Sequence, residues 1–228
     1  MPVVPRRALP PGLQRRRQLC QRLLGPQNFL TTARDITGPW SDPVRLHSHG
    51  FDASLFHAPD GTCWLPSMSA DWRPGRERFA DIEIQRYDPV ERKLVGKARV
   101  TFAGTAVGVT EAPHLYHHDG WYWLVTAEGG TSWTHQVTVA RSRDLLGPYE
   151  VDPVGPLLTS AGRPDLRLQE AGHGSLVRPQ HGGWYLAHLA ARPRAAPHPW
   201  PAEPATDHFD APQLATCWST LRRPATVD

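Results

Sequence analysis

Three side chains in this sequence could together do acid–base chemistry: Asp52 in GFDASLF, Glu111 in TEAPHLY and His173 in AGHGSLV. Two carboxyl groups and an imidazole at one site can hold and transfer a proton, provided that one carboxyl has a raised pKa. A second carboxylate close by and partial removal from water both raise it. Taken singly, each residue has an ordinary reading, because polar residues at strand starts often cap turns or bind backbone amides. Their recurrence sets these three apart: Glu111 follows Asp52 by 59 residues, and His173 follows Glu111 by 62.

The elements around them repeat as well. GFDASLFHAPDGTCWLPSM, TEAPHLYHHDGWYWLVTA and AGHGSLVRPQHGGWYLAHLA each give a polar residue, a short strand (SLF, HLY, SLV), a turn (PDG, HDG, HGG) and a second apolar strand. A second repeat interlocks with the first. FLTTARDITGPWSDPV (29–44) matches VTVARSRDLLGPYEVDPV (137–154), and DIEIQRYDPVERKLVGKARV (81–100) fills the same slot between them. Each unit of about 60 residues therefore reads as four short antiparallel strands, the makeup of a propeller blade. The first strand of each blade lines the central channel, so equivalent positions far apart in sequence converge on one axial pocket. Trp121, Tyr122 and Trp123 could wall that pocket, although alternation lets only some of them face the channel.

Bulk properties agree with an all-β chain. The 24 Pro and 19 Gly among 228 residues are scattered, which suits short strands and turns better than long helices. Six of the 25 basic residues fall in 1–27 and none of the 22 acidic ones does. No aromatics interleave with those arginines, so 1–27 reads as a solvated, disordered arm rather than a platform for nucleic acid. Cys20, Cys63 and Cys217 form no C-x-x-C pair and imply neither a zinc site nor a disulfide framework. The segment LQRRRQLCQRLL is too broken by Arg for a signal peptide, and no apolar run approaches a bilayer span. A cytoplasmic protein without membrane or nucleic-acid partners is the expectation.

Taken together, GFDASLF, TEAPHLYHHDGWYWLVTAEGGT, TVARSRDLLGPYE and GHGSLV…GGWYLAHLAARP resemble glycoside hydrolase family 43, from about Asn28 to Pro193. The likeness is to its β-xylosidases, which implies a five-bladed propeller, an appended β-sandwich and a xylo- or arabino-oligosaccharide substrate. By that resemblance Glu111 matches the general acid that protonates the leaving glycosidic oxygen. Asp52 matches the carboxylate that orients this acid and tunes its pKa. His173 matches an axial histidine that supports the site and in some members helps to bind a divalent cation, calcium; no cofactor is otherwise required. Thr131 in AEGGTS matches a position lining the sugar subsite. The family inverts configuration, so a further carboxylate must activate a water on the opposite face of the sugar.

The chain departs from that pattern at both ends. In the family the water-activating Asp lies in the first blade, well upstream of the segment matched by FLTTARDITGPWSDP, whereas residues 1–27 hold no Asp or Glu. RAAPHPWPAEPA (194–205) reads as a Pro-rich linker, and 206–228 resembles the opening of the family's β-sandwich, too short to bury a core. A substrate-binding Arg expected after LAHLAARP has no match, and neither Arg192 nor Arg194 is assigned to it. Ala53 stands where many members have Pro and Ala112 where most have Gly; both are small. The expectation is an incomplete propeller (28–193) of about three blades, whose exposed edges could pair into an oligomer. Three functions compete: a glycosidase that takes its base from another source, an inactive or weakly sugar-binding remnant, and a nucleic-acid binder using the arginine arm.

Overall fold

A computed structural model describes residues 26–71, 73–76, 78–179 and 182–192. The arm before residue 26, the linker, the sandwich remnant, Arg194, Cys20 and Cys217 lie outside the described residues. All regular structure among the described residues is strand, and no helix there is long and apolar enough to cross a membrane.

Two four-stranded antiparallel blades form the centre. The first runs from a broken inner strand, β3 (Gly50–Phe51) and β4 (Phe56–His57), through β5 (Cys63–Ala70) and β6 (Phe79–Asp88) to β7 (Lys93–Phe102). In the second, β8 (Glu111–His118) leads to β9 (Trp121–Glu128), β10 (Gln136–Ser142) and the short β11 (Glu150–Val151), with β12 (Leu158–Thr159) also paired to β10. A two-stranded sheet stands on either side. On one is β1 (Phe29–Leu30) with β2 (Val44–Arg45), and on the other β13 (Gln169–Val177) with β14 (Tyr185–Ala191). Two whole blades flanked by two partial ones match the expected incomplete propeller, and both repeats fall where the sequence places them.

Local chemistry explains the hairpins. Asp119 and Gly120 both have positive φ (52° and 71°), the pair of left-handed residues that a two-residue hairpin turn demands between β8 and β9. At the PDG turn the Asp60 carboxylate accepts the Thr62 backbone N–H at 2.9 Å and its hydroxyl at 2.6 Å. Strand β6 alternates, burying Ile82 and Ile84 on one side.

The central blades share one core. Phe56, Met68, Ile82, Ile84 and Phe102 of the first pack against Leu115, Leu124, Ala140 and Tyr149 of the second. Each such side chain contributes about 1.5–3 kcal/mol by leaving water. A smaller cluster of Val125, Val137 and Leu186 joins the second blade to β13–β14. Strand β9 is covered on both faces, and Leu124 to Glu128 are all buried.

Candidate active site

The inner strands carry the site, and each bends there in the same way. Asp52, Ala112 and His173 have φ of 55°, 50° and 50°, a left-handed conformation that costs L-residues about 1–2 kcal/mol. The bends are thus spaced by 60 and 61 residues, and Glu111 lies one residue ahead of the bend rather than on it. Two residues beyond each bend, a side chain meets a neighbouring inner strand. Ser54 donates to the Pro113 carbonyl at 2.7 Å, and Ser175 lies 3.1 Å from His114 Nε2. Farther along, the Leu176 N–H donates to the Tyr116 hydroxyl at 2.8 Å. These bonds hold three inner strands side by side.

The result is a compact cluster. Ligand-type atoms of Asp52, Glu111 and His173 all lie within 4.8 Å of one another, and all three residues are half-buried. Burial first, and the Asp52 charge second, push the Glu111 carboxyl from 4.5 up to about 7. It therefore keeps its proton well into the pH range where ordinary carboxylates have lost theirs. His114, which the sequence reading passed over, lies beside this cluster. Burial, with His173 next, lowers its pKa, against a smaller upward pull from Asp52. Its place opposite Ser54 and Ser175 in the aligned repeats (SLF, HLY, SLV) was the available signal. Thr131 is exposed in the loop after β9, at the end of the blade where β8 begins.

One expectation fails. Trp121 and Trp123 do not wall the pocket, because the Asp119–Gly120 turn sets them at the far end of the hairpin. Glu111 pairs with Ala127, whereas Trp121 pairs with His118 and Trp123 with Tyr116. Seven residues of strand at about 3.3 Å each put the His118–Trp121 pair roughly 20 Å from Glu111. Trp121 is instead covered by the guanidinium groups of Arg141 (4.5 Å) and Arg143 (3.7 Å), and Tyr122 packs edge-on against Phe56 in the core.

The cluster fits calcium badly. That ion takes about six to eight oxygen ligands, and these residues offer one imidazole and two carboxyls, one of which favours its proton. A cation held by all three would displace the proton that Glu111 keeps near neutral pH.

Ala112 yields a direct test of the bend. Glycine adopts this φ without steric penalty, and its greater freedom in the unfolded chain offsets part of the gain. Ala112→Gly should raise stability by about 0.5–1 kcal/mol in urea denaturation. An unchanged or lowered midpoint would show that the Ala112 methyl, buried here, contributes more than its bend costs.

Comparison with known proteins gives one answer. Residues 14–209 match the profile described as Glycosyl hydrolases family 43. The chain is 51% identical over 166 residues to a "Beta-xylosidase" of Bacillus subtilis (strain 168), covering 73% of this chain and 31% of that protein. It is 49% identical to "Xylosidase/arabinosidase 43B" of Humicola insolens, with the same coverage. Among solved structures, the xylan beta-1,4-xylosidase from Bacillus halodurans C-125 superposes with a TM-score of 0.73 at 45% identity, over 87% of this chain and 46% of that one. The chain thus spans between about a third and a half of the length of these relatives.

Proposed function

Because the chain belongs to glycosyl hydrolase family 43, we propose that Glu111 is the proton donor of a glycosidase that cleaves O-glycosidic bonds of β-xylosides or α-L-arabinofuranosides in xylo-oligosaccharides. The observation that carries this reading is a half-buried carboxyl held at about 7 with a second carboxylate and an imidazole within 4.8 Å. A glycosidic oxygen leaves poorly as an alkoxide, so a donor that is still protonated near neutral pH lowers the barrier. The names of the relatives, a beta-xylosidase and a xylosidase/arabinosidase, support the sugar class.

Within this reading each residue has one task. Glu111 gives its proton to the leaving oxygen. Asp52 orients the acid and helps to keep its proton on. His173 supports the axial end of the site, His114 packs beside it as a neutral ring, and Thr131 lines the sugar subsite. Asp52 does not activate the water. In inverting glycosidases the two carboxyl groups stand about 6.5–9.5 Å apart to leave room for it, and Asp52 is closer to Glu111 than that. A carboxylate at that separation would stand outside the cluster, so in this reading the base is a residue other than Asp52, Glu111 and His173. The proposed step draws on no cation.

A second reading is a protein that holds the sugar without cleaving it, since Asp52, Glu111 and His173 supply no carboxylate at the separation that water activation needs. One experiment separates them: incubate the chain with xylobiose and 4-nitrophenyl β-xyloside and measure binding by calorimetry alongside product release. Turnover that disappears in Glu111→Gln supports the glycosidase. Binding without turnover supports the second reading, and neither binding nor turnover sinks both.

A further inference from the structure

Glu128, in AEGGT, has no part in the step above, yet it is fully buried at the end of β9, beside the start of β8. Five donor groups converge on its carboxylate. Oε1 accepts the Thr105 N–H at 2.6 Å and the Thr110 hydroxyl at 2.8 Å. Oε2 accepts the Thr105 hydroxyl at 2.6 Å, the Thr138 hydroxyl at 2.6 Å and Gln136 Nε2 at 3.2 Å. No cation pairs with it among the described residues; neutral donors alone replace the water that the carboxylate gave up.

The loop that supplies Thr105 and Thr110 closes around this carboxylate. A Cβ at Gly104 would lie 2.0 Å from the Thr110 hydroxyl and 3.0 Å from Glu128 Oε1, and its φ of +81° also requires glycine. Gly129 N–H donates to the Gly108 carbonyl at 2.8 Å, tying the loop to the chain just past Glu128. The chain leaves this loop at Thr110, and the next residue is Glu111. Val109 and Ala112, on either side, have φ of 52° and 50°. A β-branched residue in that region is an outlier that costs about 1–3 kcal/mol and persists only where its surroundings over-determine it. The Glu128 network is the part of the surroundings that grips the adjacent residue.

We propose that Glu128 is a positioning residue for the proton donor: by gripping Thr105 and Thr110 it fixes the strained backbone that carries Glu111 into the site. The inference rests on reading Glu111 as that donor. Loosening the grip lets water reach the Glu111 carboxyl, which then gives up its proton at lower pH.

The test needs no turnover. In protein labelled with 13C at the Glu side-chain carboxyl carbons, the Glu111 signal is assigned from its loss in Glu111→Gln and followed against pH. Its midpoint should lie near 7 in the parent and fall by about one pH unit or more in Glu128→Gln and Thr110→Val. Thr110→Ser, which keeps the hydroxyl, should restore the parent midpoint, and Ile84→Val in the shared core should lower thermal stability without moving it. If Glu128→Gln does not fold, the Thr110 pair carries the test, since it removes one donor of five. Variants that lose stability but titrate as the parent does would leave Glu128 a structural residue only and overturn the proposal. A parent Glu111 that titrates as an ordinary carboxyl overturns the donor reading itself, and the positioning role with it.

Discussion

Glu111→Gln should make the protein more stable than the parent at pH 8.5 and leave the two equal at pH 4. The fold raises this carboxyl from 4.5 to about 7, so the folded state binds the proton more tightly than the unfolded chain does. The associated stability is complete below the unfolded value, is lost as pH rises through about 7, and is absent above it. At roughly 1.4 kcal/mol per pH unit the full difference would exceed 3 kcal/mol; solvent reaching a half-buried group reduces that to about 2 kcal/mol. Gln has nearly the same shape and no charge to bury, so it escapes the penalty. Urea denaturation of both proteins at both pH values isolates Glu111, because other titrating groups, such as the buried His47 with its pKa lowered to about 4, cancel in the difference. A stability gap that does not change with pH would mean that Glu111 ionises as a surface acid does, and the donor assignment would go with it.

Gly50→Ala should cost about 3 kcal/mol or more, for a reason unrelated to backbone freedom. A Cβ at Gly50 would sit 1.6 Å from the Met68 carbonyl oxygen and 2.7 Å from its carbonyl carbon, both backbone atoms of a residue with no exposed surface. Neither can rotate aside, so β3 would have to part from β5, breaking the Gly50–Ser69 and Phe51–Met68 pairing. Overpacking usually costs about 1–3 kcal/mol, and a clash with buried backbone belongs at the upper end or beyond. Asp52 follows directly, so the variant should also let Glu111 titrate at lower pH. Gly61→Ala is the comparison: nothing lies within 4 Å of a Cβ there, and only its φ of +82° opposes the change. Similar urea midpoints for the two variants would contradict the close approach of β3 to β5.

Much of this was legible in the sequence, and for identifiable reasons. Repetition is carried by side-chain type, so the blades, their hairpin turns and the likeness of TEAPHLY and GFDASLF to a known acid and its tuning carboxylate could be read directly. The bends could not. Asp52, Ala112 and His173 share a backbone conformation but no side-chain chemistry, so residue types do not reveal it. Alternation tells which face Trp121 and Trp123 share but not how far along the strand the site lies; the turn at Asp119–Gly120 sets them at the opposite end of the blade. Glu128 escaped because a carboxylate followed by two glycines reads as loop, while its partners come from residues 105, 110, 136 and 138.

The sharing of one core by the two central blades also sets how the molecule breathes. Leu124, Met68 and Ile82 have no exposed surface and bind both sheets into a single cooperative unit, so their backbone amides should exchange with deuterium only on global opening. The β1–β2 pair offers no side chain to that core, and Phe29 of β1 is 55% exposed, so its amides should exchange through local fraying. Glu111 and Asp52 stand on the slow unit. His173 stands on β13, held to it by the smaller Val125–Val137–Leu186 cluster. The acid and the carboxylate that tunes it therefore keep their geometry through motions that free the histidine.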